Sequence, residues 1–72
     1  MNLTQVPIPS QVRVVEIKGV HEVRLLEMGI TPGQTLRVIR SAPTGYPIEI
    51  QVRGYAISLR REEAEAVMVE LS

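Results

Sequence analysis

His21 is the only histidine in the 72 residues, and histidine is the side-chain type best suited to proton transfer and metal ligation near neutral pH. Neither chemistry finds a team. The chain has no cysteine, and a zinc site or a two-histidine, one-carboxylate iron site needs more nitrogen or sulfur donors than this sequence owns. Nucleophilic catalysis would need a hydroxyl beside His21 and a third group to orient it. The hydroxyls at Thr4, Ser10, Thr31, Thr35, Ser41, Thr44, Ser58 and Ser72 stand in no nucleophile motif. Glu62 and Glu63 are adjacent, so on a helical turn they point apart, and their polar surroundings suit a solvated face. The glycines form neither GxGxxG nor a P-loop. Arg60-Arg61 could meet phosphate, but Glu62 and Glu63 follow at once and two tyrosines make no stacking platform. These residues point to no enzyme, no metal site, no cofactor and no nucleic acid.

Composition narrows the class further. Eight Lys plus Arg balance eight Asp plus Glu, mixed along the chain, so there is no basic or acidic field. Without cysteine there is no disulfide framework. The start shows no leader pattern and no stretch approaches a membrane span, so a cytoplasmic chain with no membrane insertion is expected. A chain of this size makes one domain with a marginal core. Most of its aliphatic side chains are Val or Ile, the composition of a strand-rich core.

The elements follow from pattern. Pro7 and Pro9 predict an extended lead-in over residues 1–11. Val12 to Lys18 is strand-like, with Val14 and Val15 adjacent, which fits burial on both faces or a bulge. His21 to Met28 reads as a short helix, with Gly29 as a left-handed cap and Pro32 just beyond. Thr31-Pro32-Gly33 suits a type II turn. Two-fold alternation then runs through Leu36 and Val38, through Ile48, Ile50 and Val52, through Tyr55, Ile57 and Leu59, and through Val67, Val69 and Leu71. Ala42 to Pro47 makes a splayed loop and Gly54 a tight turn, while Arg61 to Glu65 suits a single helical or 3₁₀ turn. The fold class is mostly β: a small, partly closed antiparallel barrel of about five strands, with one short α-helix after the first strand.

The helix carries more apolar surface than a small barrel can bury. At 100° per residue, Val23, Leu26 and Ile30 form one stripe and Leu25 with Met28 form another. One stripe faces the core. The other is covered by a loop, by Met1 to Ile8 or by another protein.

Three segments together resemble the FeoA family of ferrous iron transport accessory proteins. They are Arg24-Leu25-Leu26-Glu27-Met28-Gly29-Ile30-Thr31-Pro32-Gly33, then Ser41-Ala42-Pro43-Thr44-Gly45-Tyr46-Pro47-Ile48, and then Ile57-Ser58-Leu59-Arg60-Arg61-Glu62-Glu63-Ala64. The signatures RLxxMGxxPG, APxGxPI and LRxxEA keep the family's order and spacing across Lys18 to Ser72. The resemblance implies an SH3-like β-barrel in the cytoplasm, acting beside FeoB, the membrane Fe²⁺ permease with a cytosolic G domain. Two features depart from the family. Gly45-Tyr46-Pro47 stands where an aspartate usually precedes the proline, and the glycine often found before the first strand is missing.

Residues and resemblance together imply an interaction domain that docks on the transporter's cytosolic part, with modulation of its G domain as a consequence. The expected contacts are Val23 and Leu26 on the helix and Tyr46 at the loop tip. Leu25, Met28 and Leu59 are expected to pack, Gly29 and Gly33 to supply positive φ, and Pro32 and Pro43 to stiffen loops. Two other readings stay open. One is the SH3-like regulatory domain of iron-dependent repressors, although that domain follows a helix-turn-helix unit and none is seen from Met1 onward. The other is a homo-oligomeric interaction module without a transport role.

Overall fold

The structure is a computed structural model that describes all residues from Met1 to Ser72. Strands β1 (Ser10–Ile17), β2 (Thr35–Ser41), β3 (Ile48–Val52), β4 (Tyr55–Leu59) and β5 (Val67–Leu71) form one sheet in the order β4-β3-β2-β1-β5. Every pairing is antiparallel. Helix α1 (Glu22–Glu27) connects β1 to β2, and helix α2 (Arg61–Ala66) connects β4 to β5. The extents of 28 × 24 × 23 Å are nearly equal, so the sheet is rolled around its core rather than flat. The roll stops short of closure, because β4 and β5 remain the two edges.

The curl is built with bulges. One lies between Val14 and Glu16 where β1 meets β5, and another between Val38 and Arg40 where β2 meets β3. The first resolves the ambiguity at Val14 and Val15. Val12, Val14 and Ile17 face the core while Val15 faces out, which a strict two-residue alternation could not deliver. The alternating sets of the other strands bury as expected at Leu36, Val38, Ile48, Ile50, Val52, Leu59, Val67 and Val69. Ile57 is half-buried and packs on that core, whereas Tyr55 and Leu71 at strand ends are exposed.

The lead-in is shorter and less extended than its prolines suggested. β1 begins at Ser10, because Ser10 and Gln11 already pair with Val38 and Arg37. Ahead of it the chain turns, with the Gln5 N–H donating to the Asn2 carbonyl at 3.0 Å. Met1 to Leu3 lies along the outer edge of β5: the Leu3 N–H donates to the Val67 carbonyl at 3.2 Å and the Val69 N–H to the Met1 carbonyl at 2.8 Å. Leu3 and Val6 enter the core from this segment.

Turn chemistry sets the remaining geometry. The Gln34 N–H donates to the Thr31 carbonyl at 3.0 Å with Gly33 at φ +89°, the closure expected of Thr31-Pro32-Gly33. The β3–β4 hairpin turns on Arg53 and Gly54, with φ of 51° and 83°. Positive φ at both central residues is the type I′ geometry that matches strand twist. Arginine is poorly suited to it, so Arg53→Asn is expected to stabilise the domain by about 0.5–1 kcal/mol, read as a higher urea midpoint at unchanged slope.

Candidate protein-docking site

Helix α1 is too short to persist alone, and its C-terminal end holds it. His21 occupies the N-cap without donating or accepting a side-chain capping bond. At the other end the Gly29 N–H donates to the Leu26 carbonyl and the Ile30 N–H to the Leu25 carbonyl, both at 3.0 Å, with Gly29 at φ +91°. This is a Schellman cap, and its accompanying apolar contact brings together Leu25 and Ile30, both fully buried. The cap explains the run Leu25 to Ile30. It also corrects the stripe assignment, because the left-handed turn at Gly29 takes Ile30 off the helix and into the core.

The apolar side chains left exposed on α1 are Val23 at 68% and Leu26 at 38%, with Val20 at 92% in the turn just ahead. Val23 and Leu26 are three residues apart and share a face. The N-terminal segment does not cover that face, since Leu3 and Val6 are spent in the core and Met1 and Asn2 along β5. The charged residues beside it are Glu22, Arg24 and Glu27. The Arg24 Nε lies 3.1 Å from the Glu63 carboxylate, so the only cation of the helix is engaged within the domain.

Glu63 corrects the expectation of a solvated acidic pair. Glu62 is exposed, but Glu63 is 3% exposed. One carboxylate oxygen accepts the Arg60 N–H at 2.9 Å and the other meets Arg24. Glu63 is the third residue of α2, the position from which a glutamate reaches back to the helix start. That spacing was readable in the sequence. Its partner was not, because Arg24 sits in another element. The RLxxMG and LRxxEA signatures are thus physically joined, each supplying one charge of a bridge between α1 and α2.

Tyr46 also departs from expectation. It is half-buried against the core rather than an exposed anchor at a loop tip, and the Arg61 guanidinium covers its ring at 4.5 Å from the centroid. The exposed aromatic is Tyr55 at 71%, at the base of the β3–β4 turn. Leu25 and Leu59 are fully buried and Met28 packs partly, while Gly29 and Gly33 have positive φ, as expected. Pro32 and Pro43 are exposed in their loops. No three His, Cys, Asp or Glu side chains converge to hold a metal ion, and no helix is long and apolar enough to cross a membrane.

The profile of the FeoA domain family matches residues 1–71. The chain belongs to the FeoA family. A fusion of Fe(2+) transport protein A with the Fe(2+) transporter FeoB, from Porphyromonas gingivalis, is 37% identical over 73 residues. That match takes in 99% of this chain and 9% of the fusion's length. A FeoA-like protein from Clostridium acetobutylicum is 36% identical with a TM-score of 0.92, covering 99% of this chain and 85% of that one. The FeoA of Stenotrophomonas maltophilia, solved with zinc and described as a prokaryotic SH3 domain protein, is 29% identical with a TM-score of 0.85, over 97% and 89% of the two chains. The SH3-like reading of this FeoA domain therefore holds. The manganese regulator SloR shares the fold at a TM-score of 0.84 over 99% of this chain and 34% of its own, but at 12% identity that likeness is one of fold alone.

Proposed function

We propose that this FeoA domain serves ferrous iron uptake as a cytoplasmic accessory that docks on the cytosolic part of a FeoB-type transporter, through the α1 face of Val23 and Leu26. It handles no iron and catalyses no reaction; Fe²⁺ is the transporter's cargo. The observation that carries this reading is the P. gingivalis fusion, in which FeoA and FeoB are parts of one polypeptide. Covalent linkage of two modules is the limiting case of high effective concentration, and it suits domains that work in contact. The uncovered face on α1 supplies a surface for that contact. Docking confined to one nucleotide state of the G domain would alter GTP turnover by linkage.

The test is cross-linking or pull-down of the domain against the cytosolic part of the transporter, with and without guanine nucleotide. Capture is expected. Leu26→Glu is expected to weaken it by about tenfold or more, because the added carboxylate would have to be desolvated at the contact. The substitution should leave the unfolding midpoint nearly unchanged, since Leu26 is not part of the buried core. No capture in any nucleotide state would overturn the proposal. So would a dimer of the isolated domain, seen by light scattering and lost in Leu26→Glu, which would assign the face to a second copy.

A further inference from the structure

The two edges of the sheet are treated differently. The outer edge of β5 is occupied by the chain's own N-terminus, whereas the outer edge of β4 receives no backbone or side-chain hydrogen bond from any part of the domain. The hairpin closes at Val52↔Tyr55, and a two-residue turn makes that closing pair a hydrogen-bonded one. Alternation then gives the bonds with β3 to Tyr55, Ile57 and Leu59 and aims the N–H and C=O groups of Ala56 and Ser58 outward. The devices that usually blunt such an edge are missing: β4 reads Tyr-Ala-Ile-Ser-Leu, without charge, proline or bulge.

The ends of this edge are cationic. Arg60 and Arg61 follow β4 directly and line an open groove of about 610 Å³ with Thr44, Tyr46, Pro47 and Glu62. Neither arginine has a carboxylate within ion-pair distance, although Glu62 stands at the rim, whereas Arg13, Arg24 and Arg40 are each paired. Arg61 is already held over the Tyr46 ring, so less rotamer freedom is lost when it takes up an anion. Arg53 stands at the opposite end, next to the hairpin glycine. A second copy laid antiparallel along β4 with Ile57 paired to Ile57 would set Arg53 against Arg61, an unfavourable cross-strand pair.

We infer that β4 is a strand-addition site for an extended acidic peptide. The added segment runs antiparallel to β4, like every other pair in the sheet. Its backbone bonds to Ala56 and Ser58, and carboxylates at its N-terminal end reach Arg60 and Arg61. Backbone bonds supply the grip and the arginines the selectivity. This site is separate from the α1 face, and the inference stands whether or not that face docks on FeoB.

The probe is an eight-residue synthetic peptide with an acidic pair at its N-terminal end, five alternating Val and Thr residues, and one Glu at its C-terminal end. Titrated into the full 72-residue chain, it is expected to slow amide hydrogen exchange at Ala56 and Ser58, while the amides of Tyr55, Ile57 and Leu59 are already bonded to β3. The double substitution Arg60→Glu, Arg61→Glu is expected to weaken binding by about tenfold or more. Ser58→Pro removes an outward donor without touching the ladder to β3, and it should abolish binding in a folded domain. The arginine variant alone decides the matter if the proline variant does not fold. Absence of binding, protection elsewhere on the domain, equal binding of the peptide in reversed order, or equal binding of a version with Gln for each acid would overturn the inference. Self-association that protects the same two amides without peptide would overturn it in favour of a second copy.

Discussion

Leu25→Ala is expected to lower the unfolding free energy by about 3 kcal/mol, out of roughly 4–10 kcal/mol for a domain of this length. The site has little room to adapt. Leu25 is the one buried side chain of α1, and its carbonyl accepts the N–H groups of both Met28 and Ile30. A six-residue helix has no stability of its own, so truncating its anchor removes dispersion contacts and loosens the Schellman cap together. The measurement is urea unfolding, with a falling midpoint at constant slope. A loss below about 1 kcal/mol would show that some other contact fixes the helix. The variant also pairs with Leu26→Glu. Leu25 is buried and Leu26 is exposed, so Leu25→Ala should weaken the fold and, through it, the docking face, whereas Leu26→Glu should change binding alone.

Glu63→Ala is expected to cost about 2 kcal/mol, because it removes a charge-assisted acceptor from the Arg60 N–H and the partner of Arg24. The two bonds are unequal. Arg24 has 60% of its side chain exposed, so its attraction to the carboxylate is screened, while the backbone bond at the start of α2 is sheltered. Arg24→Ala is accordingly expected to cost about 1 kcal/mol, and Glu63→Gln less than Glu63→Ala, since the amide oxygen still accepts from Arg60. A double-mutant cycle over Arg24 and Glu63, read by urea unfolding, gives the coupling directly. A coupling near zero would mean that the two helices are held together by packing alone.

How much of this was legible in the sequence depends on the range of the forces involved. The strands were readable because alternation is local: Ile48, Ile50 and Val52 declare their facing without reference to any partner. The cap at Gly29 and the turn at Gly33 were readable for the same reason, since each needs a positive φ that glycine tolerates. The bulge was foreshadowed by the adjacency of Val14 and Val15. The pairing of Arg24 with Glu63 was not readable, because 39 positions separate them in the numbering and each alone resembles a solvated surface charge. Tyr46 failed for the opposite reason. A tyrosine between glycine and proline reads as an exposed loop tip, and only the return of the chain at Arg61 brings a cover to its ring.

The placement of Met1 to Leu3 along β5 has a consequence for how the domain comes into being. Some of its first residues find partners among its last: the Leu3 N–H waits for the Val67 carbonyl, the Met1 carbonyl for the Val69 N–H, and β1, paired with β2 on one side, waits for β5 on the other. No piece that stops before Val67 contains both halves of any of those pairings. During synthesis β1 to β4 come off the ribosome as a contiguous meander, but the core gains Val67 and Val69 only when the last strand has followed. A stop or a cut anywhere between Ser10 and Val67 would yield no smaller folded unit, but a fragment with its apolar strands uncovered.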